Sequence, residues 1–249
     1  HNLVDLAVSK WDIGSVTDMS DMFNECRALT SLDVAAWDTS SLIDAYSMFM
    51  YCLSLSALDV SGWSMGSVTN LSSMFMQCSN LPSLNLSKWD VHSTTSMYGM
   101  FSNCTALATI GDVSDWDTSS LTNLASMFSN CTSLVAFDAS NWNTSSVTSL
   151  GYMFDTCPSL SILDASGWDT SVVTNMARML YKCSSLETMY VGAGWTTASC
   201  SGLSSTRYLF NGCTSVVGGN GTKYSSAHVD GSYARIDRPD QPGYLTLKA

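Results

Sequence analysis

The groups in this 249-residue chain that could bind a metal, close a disulfide or do acid–base chemistry are nine cysteines, 21 acidic side chains and three histidines. Eight of the cysteines fall at regular intervals, as Cys26, Cys52, Cys78, Cys104, Cys131, Cys157, Cys183 and Cys213, while Cys200 stands apart in a slot that other repeats fill with valine. Stacking would bring such cysteines within disulfide range, at Cα separations of about 4.4–6.8 Å. Their side chains would nevertheless all point one way into a core, where a thiol behaves as a small hydrophobe. A ladder of buried free thiols is therefore the favoured reading, with disulfide staples as the alternative; the odd count and a core of this size argue against staples. A metal site is not expected, because no CxxC pair occurs and His1, His92 and His228 are scattered.

The carboxylates form two columns. One comprises Asp33, Asp59, Asp112, Asp138 and Asp164, broken by Asn85, and lies on a strand; the other comprises Asp12, Asp38, Asp90, Asp117 and Asp169, each directly after a tryptophan. An Asp in the second position can accept a bond from the backbone two residues on and fix a turn. The strand carboxylates repel one another unless they are solvated, bonded to Ser and Thr, or bridged by a hard cation such as Ca²⁺; the DxDxDG loop that usually holds Ca²⁺ is absent. Hydroxyls form a third set at Ser15/Thr17, Ser67/Thr69, Ser93/Thr95, Ser120/Thr122 and Ser146/Thr148, interrupted by Ile43 and Val172. Such columns suit strands, and their hydroxyl–methyl lattice also offers a surface to a glycan or to ice. No Ser-His-Asp spacing, glycine-rich phosphate loop or isolated carboxylate pair is evident, and no enzymatic activity is expected.

What positions these columns is a ruler of tryptophan. All eight occur at Trp11, Trp37, Trp63, Trp89, Trp116, Trp142, Trp168 and Trp195, in steps of 26 or 27 residues. A fixed period of this length predicts a solenoid of about eight coils, one per Trp, in which sequence columns become spatial rows. In the unit that starts at Trp116, the apolar spacing of Leu124, Met127, Phe128 and Cys131 predicts a short helical turn with Asn123 as N-cap. Asp18 and Asp21 resemble a capping box in the first unit. The Leu32-Asp33-Val34 alternation predicts a strand, and Ser67-Val68-Thr69 a second extended piece. Each coil thus combines short strands with a helical turn, an α/β solenoid about 40 Å long at about 4.8 Å per coil.

After Val217 the ruler stops. Gly218-Gly219-Asn220-Gly221 breaks the pattern, and two strands are expected at 233–236 and 244–247. The domain reading is a repeat solenoid over 1–216 and a β cap over 217–249. Upstream, the unit opens abruptly at Asn2-Leu3-Val4 behind His1, without a signal-peptide pattern or polar cap, so the chain is expected to be a monomeric fragment of a longer one.

Charged residues make up 12% of the chain and the formal charge is −11, which argues against nucleic acid and anionic membrane surfaces as partners. No apolar run reaches the 18 residues that would insert in a bilayer. Variation within the repeat is concentrated beside Met-Phe, where Tyr46, Tyr98, Tyr152, Met50, Met76, Tyr51, Tyr181, Arg178 and Lys182 occupy solvent-facing slots. Exposed Tyr and Met on a rigid scaffold suit recognition, although such slots can also drift freely.

The unit Leu-Asp-x-Ser-x-Trp-Asp-Thr-Ser-x-Val-Thr-x-Met-x-x-Met-Phe-x-x-Cys-x-x-Leu resembles the 26-residue repeat of BspA-like bacterial surface proteins, a divergent branch of leucine-rich repeats. The tail segments Gly218-Gly-Asn-Gly-Thr-Lys-Tyr224, Ser232-Tyr-Ala-Arg-Ile-Asp237 and Pro242-Gly-Tyr-Leu-Thr246 are similar to those that often end such arrays. The resemblance implies a secreted or surface-displayed bacterial module with no catalytic residues and no required cofactor. It implies an adhesin that binds a host protein or glycan, or a partner on a neighbouring cell. A structural stalk is the first alternative, and recognition of glycan or ice through the Ser/Thr columns the second.

Overall fold

The computed structural model describes residues 3–202 and 204–248, so the abrupt opening read at Asn2 lies outside the described residues. Successive repeats lie side by side in parallel register. The strands are short: β1 Ser31–Leu32, β2 Ala57–Leu58, β3 Ala136–Asp138, β4 Ile162–Ala165, β5 Thr188–Val191 and β6 Thr246–Leu247. β1 pairs with β2, and β3 to β6 form a four-stranded parallel sheet. In that sheet Phe137 faces Leu163 and Leu163 faces Met189, an offset of one repeat. A single parallel bridge joins Ser83 to Thr109 between the two sheets. The second extended piece forms its own ladder of single parallel bridges, running Asp18, Asp44, Asn70, Ser96, Asn123, Ser149, Asn175.

The strands stop early because an Asx turn bends the chain at each end of the extended pieces. Asp59 accepts from Ser61 N at 3.0 Å on the strand side, Asp38 from Ser40 N at 3.0 Å after Trp37, and Asp44 from Tyr46 N at 2.8 Å on the bridge ladder. Each bond gives the amide two residues on a partner other than the next strand residue, which favours a turn over continued extension.

The expected helical turn is absent, and no α-helix occurs among the described residues. Over 124–131, alternate amides donate to the next coil: Ser126 N to Gly151 O at 2.9 Å, Phe128 N to Met153 O at 2.8 Å and Asn130 N to Asp155 O at 2.6 Å. Those between close tight turns, Met127 N to Leu124 O at 3.3 Å and Cys131 N to Phe128 O at 3.1 Å. Ser126 and Asn130 accordingly adopt φ of 59° and 60°. Buried positions at i, i+3, i+4 and i+7 fit a period of four as well as one of 3.6 over so short a span, which is why the sequence pattern points to a helix. Left-handed residues cost about 1–2 kcal/mol each, and the inter-coil bonds, absent in an isolated segment, offset that cost. Asn123 is an Asx-turn residue bonded to Ala125 N at 3.0 Å, and Asp18 likewise to Ser20 N at 2.8 Å; neither caps a helix. Asp21 has φ of 58° and accepts from Asn24 Nδ2 at 2.8 Å.

The core is built of rows. Phe49, Phe75, Phe101, Phe128 and Phe154 are fully buried, with consecutive ring centroids 5.6, 5.6, 5.3 and 5.5 Å apart. Trp37 stacks on Trp63 at 6.0 Å and Trp116 on Trp142 at 5.8 Å. The six indoles from Trp37 to Trp168 also donate backwards, as in Trp63 Nε1 to Val34 O at 3.0 Å, Trp89 Nε1 to Val60 O at 2.9 Å and Trp142 Nε1 to Val113 O at 3.0 Å. A buried indole N–H thereby gains the partner it needs.

The C-terminal segment lies against the last coil. β6 pairs with β5, and Trp195 Nε1 donates to Ala234 O at 2.9 Å instead of to a preceding coil. Tyr244 is buried between Phe210, at 5.2 Å, and Tyr233, at 5.1 Å. Asp237, 3% exposed, accepts from Asn220 N at 2.8 Å, Thr222 N at 3.0 Å, Thr222 Oγ1 at 2.6 Å and Gly243 N at 3.2 Å. Of the two strands expected here, 244–247 contains β6, whereas Tyr233 ends a 3₁₀ turn, Gly231–Tyr233. Asp230 starts that turn by accepting from Ser232 N at 2.9 Å, which draws the chain out of extension.

Candidate recognition face

The cysteine row faces inward. Sγ of Cys52, Cys78, Cys104, Cys131, Cys157 and Cys183 each donates to a phenylalanine carbonyl of the preceding coil, as in Cys104 to Phe75 O at 3.0 Å. Cys213 reaches Leu180 O at 2.9 Å and the outlying Cys200 reaches Val173 O at 3.3 Å. Burial pushes Cys52, Cys104, Cys157 and Cys213 up to about 12, and Cys78, Cys131 and Cys183 well above the usual thiol range. A thiol held neutral in this way is a poor nucleophile and a poor metal ligand. No group of three His, Cys, Asp or Glu side chains among the described residues could hold a metal ion.

On the strand side Asp33, Asp59, Asp112 and Asp138 are exposed, but Asp164 is buried and cannot belong to an open stripe. β6 lies beyond β5 in the same sheet, and Lys248, which follows β6, reaches back to form an ion pair with its carboxylate. Asp59 and Asp112 are each engaged by their own serine, Ser61 Oγ and Ser114 Oγ, both at 2.7 Å. Those side-chain bonds, aided by the serine amides, hold both carboxyls below their ordinary value. The same Asx device at Asp38, Asp117 and Asp169 lowers the column after Trp.

The outward threonines are bonded rather than free. Thr95 Oγ1 donates to Thr69 O at 3.1 Å, Thr122 Oγ1 to Thr95 O at 3.1 Å and Thr148 Oγ1 to Thr122 O at 3.2 Å. A ligand on this side meets threonine methyls and acceptor lone pairs, with the threonine hydroxyl protons already spent.

A constellation not evident from sequence spacing occurs at one corner. His92 Nδ1 lies 2.8 Å from Asp90 Oδ1, and Ser93 Oγ 3.0 Å from His92 Nε2. The expectation of no Ser-His-Asp arrangement is corrected here: the Asx turn at Asp90, which accepts from His92 N at 3.2 Å, folds the imidazole back onto its carboxylate. The Asp90 and His92 side chains are 60% and 53% exposed, so the relay stands in open water with no enclosing wall to desolvate a reacting group.

The Met-Phe side presents the variable slots. Tyr46, Tyr98 and Tyr152 are 42%, 44% and 41% exposed, although the Met and Phe beside them are buried. Met50, Met76, Tyr51 and Tyr181 are half-buried and contribute only their outer edges. The backbone beneath is locked on both sides by amide bonds, for example Tyr152 N to Ala177 O at 2.8 Å. Arg178 lies on the Tyr181 ring, 4.0 Å from its centroid, and 5.3 Å from that of Tyr152. Its Nε comes within 2.6 Å of the buried Asp155 Oδ2 as an ion pair, and the aligned hydrogen bond runs from Nη2 to Oδ1 at 3.2 Å. Sequence reasoning did not single out Asp155 or Tyr208; both become visible only once neighbouring coils are placed side by side.

These features define a class: a stacked-coil repeat protein with short parallel strands, a side-chain-bonded core and one aromatic, variable face. The chain belongs to the family described as "Mycoplasma protein of unknown function, DUF285", whose model matches residues 2–110 and 95–219. No curated protein matches it. Among solved structures, it is similar to a leucine-rich cell surface protein from Faecalibacterium prausnitzii, with 16% identity, coverage of 74% of each chain and a TM-score of 0.30. It is also similar to the leucine-rich repeat protein of T. pallidum, with 15% identity, 69% of this chain and 72% of that one covered, and a TM-score of 0.33. A third is the functional domain of InlJ from Listeria monocytogenes, described as including a cysteine ladder, with 18% identity, 98% of this chain and 46% of that one covered, and a TM-score of 0.37. At these TM-scores the likenesses carry no inference about this chain. Among the described residues, no helix is long and apolar enough to cross a membrane.

Proposed function

We propose that this chain is a non-enzymatic recognition module displayed on a bacterial surface, which binds an extracellular protein or glycan through its Met-Phe side. One observation carries the reading: Tyr46, Tyr98 and Tyr152 stand more than two-fifths exposed on backbone that inter-coil amide bonds hold rigid. Rigid, exposed tyrosine offers a large contact area at low entropic cost, as recognition surfaces require. The repeat unit over 1–216 supplies the platform, and residues 217–249 act as a cap that covers the last apolar coil. The exposed strand carboxylates Asp33, Asp59, Asp112 and Asp138 add to the chain's net negative charge, which biases it against acidic proteins. No cofactor is needed for this role, and the open Asp90–His92–Ser93 relay plays no catalytic part in it.

A solid-phase screen against matrix proteins, glycans and whole cells tests the reading. Triple replacement of Tyr46, Tyr98 and Tyr152 by alanine should weaken binding at least tenfold and leave the melting temperature unchanged. Retention of full affinity by the triple variant would refute this face as the site. Failure to bind anything would instead favour a stalk, a role that the stacked phenylalanine row from Phe23 to Phe154 also suits. Thermal hysteresis in the wild-type protein would point to ice.

A further inference from the structure

We infer that the recognition face contains a discrete subsite for a carboxylate-bearing sugar, set between Tyr152 and Tyr208. This rests on the recognition reading and names its ligand class. A hollow of about 330 Å³ is lined by Tyr152, Ala177, Arg178, Ser204, Arg207 and Tyr208. Small residues leave its floor open: Ala177 lines it, and the equivalent position of the preceding coil is Gly151. Tyr152 and Tyr208 form the walls, with φ of 60° at both, which places them at equivalent points of the tight turn two coils apart. The volume falls in the range of small-ligand sites, about 300–1,000 Å³.

Charge selects the ligand. The chain carries 21 acidic residues against ten Lys and Arg, yet among the described residues no carboxylate lines this hollow. Arg178 is compensated by Asp155. Arg207 is not: among the described residues no carboxylate comes within ion-pair distance of it, and its Nη2 donates to Tyr208 Oη at 2.9 Å. Its guanidinium lies 4.5 Å from the centroid of the Tyr208 ring. That contact fixes the orientation of the cation and leaves its remaining donors for a bidentate carboxylate bond. Asp230 lines an adjoining hollow with Arg207 and is occupied by Ser232 N at 2.9 Å. Two tyrosine faces flanking an arginine suit a flat, ring-shaped ligand that bears one negative charge. An extended acidic peptide would have its further carboxylates placed over the negative remainder of the molecule.

The test is an array of paired glycans, uronate- or sialate-terminated against their neutral or carboxyl-reduced counterparts, with a poly-glutamate peptide as control. The whole chain should prefer the acidic member of each pair by at least tenfold, and the preference should weaken with added salt. Arg207→Ala should abolish the preference, and Arg207→Glu should reverse it, with melting temperatures unchanged because the side chain is exposed. Tyr46→Ala with Tyr98→Ala should leave it intact. Equal binding of neutral partners, equal binding of poly-glutamate, or insensitivity to Arg207 would each overturn the inference. Ligand binding that depends on Tyr46 and Tyr98 but not on Arg207 would overturn it while leaving the recognition reading standing.

Discussion

Replacing Trp142 by phenylalanine isolates what the indole row contributes. Trp142 is 1% exposed and donates through Nε1 to Val113 O at 3.0 Å. The substitution removes that bond, a net loss of about 1 kcal/mol. It also removes two buried ring carbons, about 1.5 kcal/mol at about 0.8 kcal/mol per buried carbon group. Val113 O keeps its bond from Trp116 N at 3.2 Å, so no buried acceptor is orphaned and no further penalty applies. The expected cost is about 2.5 kcal/mol, or roughly 5–10 °C in melting temperature for a chain of this length. The informative control is Trp11→Phe. Trp11 is 43% exposed and has no indole bond among the described residues, so its replacement should cost well under half as much. Urea unfolding followed by far-UV circular dichroism measures both. Equal costs at the two positions would refute the claim that a backward-donated indole bond, rather than tryptophan bulk alone, joins one coil to the next.

Three further outcomes follow from the geometry. Burial alone would raise Asp237, but donors from Thr222, Gly243 and Asn220 outweigh it and hold its carboxyl below the ordinary 3.8. A depressed folded value means that its stabilisation is complete above pH 3.8 and is lost as pH falls toward the folded value. Asp237→Asn should therefore lower stability at neutral pH by about 2 kcal/mol and flatten the acid limb of the stability curve; an unchanged acid limb would contradict the assignment. In thiol titration with an aromatic disulfide reagent, only the half-buried Cys26 and Cys200 should react rapidly in the native protein, and all nine cysteines in denaturant. Rapid native labelling of Cys104 would show that the thiol row is not sealed. Because Asp59 and Asp112 are satisfied by their own serines, millimolar Ca²⁺ should leave the melting temperature where a chelator leaves it, and a rise would restore the cation-bridged stripe.

The spacing of Trp, Phe and Cys made the stacking legible, since each is a large or buried group that must recur on the same side of every coil. The Asx turns after Trp were legible too, because an Asp followed two residues later by a serine or glycine amide is a local device. The Met-Phe segment misled for a physical reason: its left-handed residues are Ser126, Asn130 and Tyr152 as often as glycine, so no backbone signal marks them, and its amides find partners 25 residues away. Asp164 looked like its column-mates until Lys248, which follows it by 84 residues, paired with its carboxylate. The same limit hid the hollow beside Ala177, whose lining residues come from three separate coils. Thr39, Thr118, Thr144 and Thr170 carried no signal in the spacing, yet they are buried and donate to carbonyls of the following coil, as Thr118 Oγ1 does to Asn143 O at 3.0 Å.

Six of the eight indoles, the thiols and the outer threonines donate toward the coil that precedes them in the chain, whereas the Met-Phe amides donate toward the one that follows. During synthesis the amino end emerges first, so each of these donors meets an acceptor that already exists. At about 5–20 residues per second a new coil takes one to several seconds to appear, whereas short loops close in microseconds or less. Growth by accretion on a finished template, one turn at a time behind the ribosome, is thus built into the direction of the bonds.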